Sequence, residues 1–75
     1  MKFQKGQIWG NAYGRKFQIL AIREDCLNPI LCKDIKTGKL AGFTEKGQVY
    51  SADLGRSGKD LINFFSKDEF PEYYL

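Results

Sequence analysis

"GFTEKGQVYS", residues 42–51, consists of two strand-like halves around Glu45-Lys46-Gly47, and its reading decides the fold. Gly47 supplies the positive φ that a tight hairpin connection needs. The same device stands just upstream, where Lys36-Thr37-Gly38 separates "PILCKDI" (29–35) from "KLAGFT" (39–44). Two such turns in succession make a meander, so "PILCKDI", "KLAGFT" and "QVYSA" (48–52) are predicted as consecutive strands.

Working outward, "RKFQILAIR" (15–23) is the clearest strand of the chain. Alternation sets Phe17, Ile19 and Ala21 on one face and Gln18, Leu20 and Ile22 on the other, and apolar groups on both faces suit a central position. "REDCLNP" (23–29) reads as a loop, because charges and Asn28-Pro29 break the pattern. Before it, Gly6 and Gly10-Asn11 bracket a first strand over 7–10 that contains Ile8 and Trp9. After Ala52, "DLGRSGKD" is rich in turn residues, and "KDLINFF" (59–65) is a last strand or one helical turn with Asp60 as its cap.

Five short strands joined by tight turns predict a mainly all-β domain, a small five-stranded SH3-like barrel closed by a short C-terminal helical turn or tail. An OB-like barrel is the second choice. Curvature lets a sheet with an apolar central strand bury one face while the termini cover part of the other. The barrel domain is assigned to 1–65, and "SKDEFPEYYL" (66–75) to an acidic, aromatic tail.

A chain of 75 residues has room for one domain. Its 43% hydrophobic and 15% aromatic content is enough for a core, and a net charge of +3 does not favour disorder. The charge is unevenly placed: residues 1–23 carry Lys2, Lys5, Arg15, Lys16 and Arg23 and no acid, whereas 60–75 carry Asp60, Asp68, Glu69 and Glu72 against Lys67. No apolar run is long enough to span a bilayer and no signal core follows the start, so a soluble, cytoplasmic protein is expected. Cys26 and Cys32, with no histidine in the chain, fit no zinc spacing. Reduced thiols are expected, Cys32 as a core residue, with a hairpin-spanning disulfide as the alternative.

The pattern of Gly6 and Trp9, Gly14-Arg15-Lys16, Ile19-Leu20-Ala21-Ile22, Pro29-Ile30, Thr44 and Gly47, Tyr50 and Asp60-Leu61 resembles that of a group of small proteins of phages and prophages. The resemblance covers roughly residues 5–62. Its motifs are turn and core residues, so it implies a fold and a phage origin, hence residence in a host cell's cytoplasm. Two places depart from it: the tail from Ser66 to Leu75, and Asn11-Ala12-Tyr13 where a charged pair is expected before the basic turn.

No enzyme, cofactor or metal site is expected. Histidine is missing, neither cysteine has a base placed by motif, and adjacent Glu24-Asp25 point to opposite sides of an extended chain. "GRSGKD" (55–60) lacks the spacing of a phosphate loop. Binding remains. For a protein partner the candidate residues are Tyr13, Arg15 and Lys16 on the basic turn and Phe70, Tyr73 and Tyr74 in the tail, since rings among charges are typical of interface anchors. Capping of the open barrel end by those rings is the competing reading, and a tail crossing into a second copy would do both.

The resemblance and the small size together imply a modulator or inhibitor of a host protein, as in host takeover or anti-defence. The alternative is a nucleic-acid-binding barrel using Trp9, Arg15, Lys16, Lys46 and Tyr50 for stacking and phosphate pairing. Against it, Trp9 and Phe17 are the largest apolar groups available to the core and are expected inside. A weaker third reading is an oligomeric sponge for an anionic nucleotide.

Overall fold

The computed structural model describes residues 3–48, 58 and 60–74. Among them five strands form one antiparallel sheet: β1 (Ile8–Gly10), β2 (Lys16–Ile22), β3 (Ile30–Asp34), β4 (Leu40–Phe43) and β5 (Asn63–Phe65). The spatial order is β4-β3-β2-β1-β5. β1 to β4 run as a meander, and β5 returns to the free side of β1. The described residues are therefore mainly β, with a 3-10 turn, η1 (Pro71–Tyr74), near the C-terminal end.

Both short turns form as the glycines require. Gly38 and Gly47 each sit at φ +78°, the left-handed region that only glycine enters without cost. The second turn is closed by Gly47 N–H donating to the Thr44 carbonyl (2.8 Å) and Thr44 N–H donating to the Gln48 carbonyl (2.8 Å). Of the strand expected over 48–52, Gln48 alone is described and the rest lies outside the described residues, as does Tyr50. The ambiguous "KDLINFF" resolves as a strand, since Asn63–Phe65 pairs with β1. Asp60 is buried (3% exposed) in the approach to that strand and caps no helix.

The main core lies on one face of the sheet and joins Phe3, Trp9, Phe17, Ile19, Ile30, Cys32, Phe43 and Leu61. Trp9 packs between Phe3 and Phe64, with ring centroids at 4.6 and 5.1 Å. Strict alternation along β2 fails after Ile19. That residue pairs with Cys32, but Ala21, not Leu20, pairs with Leu31, which leaves Leu20 as an extra residue. This bulge shifts the phase, so Ile22 packs against the core where alternation had placed Ala21.

A second, smaller cluster covers the other face. Phe65 lies against Gly10 so closely that a Cβ there would come within 2.6 Å of its ring. Phe70 and Tyr73 stack on each other and each meets Phe65 edge-on, at 5.1 and 5.6 Å. The tail thus folds back onto the sheet. Tyr74 completes the seal: its hydroxyl accepts from the Ile8 N–H (3.0 Å) and donates to the Phe65 carbonyl. Ile8 and Phe65 are directly paired across β1 and β5, so the hydroxyl is inserted into the ladder where the two backbone groups would otherwise meet. Tyr74→Phe leaves both groups without this partner and should cost about 1–2 kcal/mol, read as a lower urea midpoint with an unchanged m-value.

Candidate functional site

Two turns lie side by side at one end of the sheet, and each is wrapped on a buried side-chain oxygen. In the β1–β2 connection, Asn11 Oδ1 accepts from the N–H groups of Tyr13 and Arg15, both at 3.0 Å. Asn11 is 4% exposed, and its own N–H donates to the Arg15 carbonyl (3.0 Å). In the β3–β4 connection, Asp34 Oδ1 accepts from the N–H groups of Lys36 (2.8 Å) and Thr37 (3.2 Å). Such turns arise because Asn and Asp carry an acceptor at the right reach to replace a backbone carbonyl.

The turns are tied together by Arg15, whose Nη1 donates to Asp34 Oδ2 at 3.3 Å. The pair is asymmetric, with an arginine side chain 63% exposed and a carboxylate 5% exposed. Burial works against the charge of Asp34, but the two turn N–H groups and the Arg15 guanidinium outweigh it and hold the carboxyl below its ordinary range. Asp34 is therefore an ionised anchor whose oxygens are already engaged.

On either side of this anchor is a cleft. The larger, of about 610 Å³, is mainly apolar and is walled by Phe17, Leu40, Ala41 and Phe43, with Lys39 at its margin. The other, of about 460 Å³, lies between Lys16, Lys36, Thr37 and Tyr73. Tyr13, Arg15 and Asp34 border both. Tyr13 is 70% exposed, its ring resting against Gly58, where an added Cβ would lie 2.9 Å from Cζ.

The sequence-predicted residues fall into three groups. Tyr13, Arg15, Lys16 and Tyr73 come together although they are separated by most of the chain, with Lys16 Nζ 5.1 Å from the Tyr73 ring centroid and 5.5 Å from that of Phe65. Phe70 stands behind Tyr73 as its stacking support, and Tyr74 is turned inward to the β1–β5 ladder. Of the nucleic-acid set, Trp9 is 7% exposed, with Phe3 and Phe64 packed against its ring. Lys46 follows Phe43, which pairs with Ile30 and through it with Ile22, at the end of the sheet opposite to Lys16. That set is not assembled in one place among the described residues.

Asp34, Lys36, Lys39, Leu40 and Phe43 border the clefts and were not singled out by the sequence reading. The signal for the first two was present in "DIKTG" (34–38), an acid placed to accept from the two N–H groups after the next residue. The strand expected over 29–35 contains Asp34 and the connection expected over 36–38 contains Lys36, so the sequence pattern divides the motif between two elements.

The two cysteines are free, Cys26 exposed and Cys32 buried. Burial pushes the Cys32 thiol up to about 12, so it stays neutral and unreactive in the folded chain. Alkylation at mildly alkaline pH should label Cys26 alone in the native protein and both thiols in urea. Mass spectrometry of the two samples checks this directly. Because the unfolded thiol ionises near 9.0 and the folded one near 12, this group also withdraws stability as pH rises through that interval.

Among the described residues no group of three or more acidic, cysteine or histidine side chains could hold a metal ion, and no helix is long and apolar enough to cross a membrane. Comparison of the chain with protein-family models, with curated proteins and with solved structures finds no match.

Proposed function

We propose that this chain is a small non-catalytic binding protein that holds a protein partner at the paired clefts. The observation that carries the reading is convergence: the basic turn (Tyr13, Arg15, Lys16) and the tail (Tyr73) meet at one cleft, to which Lys36 adds a further cation. The exposed ring of Tyr13 and the half-buried ring of Tyr73 among cations, beside turns fixed by buried acceptors, form a preorganised surface of the kind that anchors interfaces. A sheet whose last strand returns beside the first, with its main core on one face and a smaller aromatic cluster on the other, supports an SH3-like barrel as the scaffold. The resemblance to small phage proteins makes a host protein the partner class, with inhibition or redirection as the outcome.

The test is capture from a bacterial lysate by the intact chain and by a Lys36→Glu/Lys39→Glu variant, each with and without nuclease. Recovery of a single protein by the intact chain only, insensitive to nuclease, is the expected result. Equal recovery by both versions would sink the proposal.

A second reading, nucleic-acid binding, is favoured by one feature: Lys36 and Lys39 join Arg15 and Lys16 on one end of the sheet. It requires that capture vanish with nuclease and that affinity fall steeply with salt.

A further inference from the structure

We infer that the two clefts act as one bipartite site for an acidic segment of a partner protein that carries a single aromatic or aliphatic side chain among its carboxylates. This rests on the binding reading above and names the chemistry it would recognise. The clefts share Tyr13, Arg15 and Asp34 as a common wall, so a ligand lying across that wall meets apolar surface on one side and cations on the other. Leu40 and Ala41, beside the buried rings of Phe17 and Phe43, give the larger cleft a mainly apolar lining, and Leu40, 64% exposed, loses water when an apolar side chain covers it.

The charge around the wall is one-sided. Arg15, Lys16, Lys36 and Lys39 border the clefts, and among the described residues Asp34 is the one acid that does so. Asp34 is already engaged by Arg15 and two turn N–H groups. The lysines therefore leave a positive field that a carboxylate-rich segment would complement.

Geometry favours a peptide over a polynucleotide. Lys46 is at the opposite end of the sheet from Lys16, and Trp9, the best stacking ring, is inside the core. The chain also shows the pairing in its own tail, where a ring flanked by acid, Tyr73 after Glu72, rests on Lys16.

The test titrates the full, isotopically labelled chain with the capped peptide GEEFEEG, with GQQFQQG, with GEEAEEG and with a thymidine decamer, at about 0.15 M salt. The backbone amide signals of Tyr13, Arg15, Lys36 and Leu40 are followed. GEEFEEG is expected to shift signals in both clefts, and each altered peptide to bind at least about tenfold more weakly. The decamer is expected to shift none of them.

Equal binding of GEEAEEG removes the apolar cleft from the site and overturns the inference, and preferential binding of the decamer overturns it in favour of phosphate recognition. If GEEFEEG fails while lysate capture still depends on Lys36 and Lys39, the binding surface stands and this chemistry falls. If both fail, the binding reading falls with it.

Discussion

Gly47→Ala is expected to lower the unfolding free energy by about 3 kcal/mol, from two separate causes. Gly47 holds φ at +78°, where a Cβ meets the following carbonyl oxygen, at a cost of roughly 1 kcal/mol. The added methyl would also stand 2.5 Å from Phe3 Cζ and 3.3 Å from Leu61 Cβ. Phe3 cannot yield cheaply, because it is 2% exposed and its ring is set against Trp9 at 4.6 Å. Overpacking a core in this way costs about 1–3 kcal/mol more.

Gly38 provides the control, with the same φ of +78° and nothing within 4 Å of its would-be Cβ. Gly38→Ala should therefore show the backbone cost alone, about 1 kcal/mol. Urea unfolding of the two variants beside the parent separates the causes. Equal losses would mean that Phe3 and Leu61 do not press on the second turn as the structure places them.

That pair of glycines also shows how the sequence could be read. A turn's chemistry is local, so Gly38 and Gly47 announced both connections and, with them, β3 and β4. The bulge after Ile19 was not legible, because a chain of apolar residues at 19–22 alternates equally well in either phase and the pairing with β3 decides between them. The closing strand was ambiguous for a related reason: three paired residues carry no period, and Asn63–Phe65 becomes a strand by finding β1.

The candidate site divides along the same line. Tyr13, Arg15, Lys16 and Tyr73 could be picked out as rings and cations out of place on a bland surface. Nothing local says that Tyr73 meets Lys16, since that contact depends on β5 delivering Phe65 opposite Ile8 and on Tyr74 fastening the tail to that pair. Leu40 and Phe43 became cleft walls only because β4 lies beside β3 and puts them near Phe17, whose ring meets that of Phe43 at 5.4 Å.

Asp34→Ala should be nearly as damaging as Gly47→Ala, at about 2–3 kcal/mol, and its effect should reach the clefts as well as the stability. The substitution removes the acceptor for the Lys36 and Thr37 N–H groups and frees Arg15. Asp34→Asn keeps an acceptor oxygen for the turn and loses the charge, so it should recover about half of the loss.

The pH dependence identifies the charge as the cause. The folded carboxyl of Asp34 lies below its ordinary value of 3.8, so its contribution is complete above that value and is lost as pH falls through the folded one. The gap in stability between the parent and Asp34→Asn should be constant from neutral pH down to about pH 5 and shrink below about pH 4. A gap that is independent of pH down to the acid transition would assign the effect to shape instead of charge. In the same variants the amide signals of Tyr13 and Arg15 report on the neighbouring turn: they should move in Asp34→Ala if Arg15 couples the two turns, and remain in place if the Asn11 oxygen alone holds that turn.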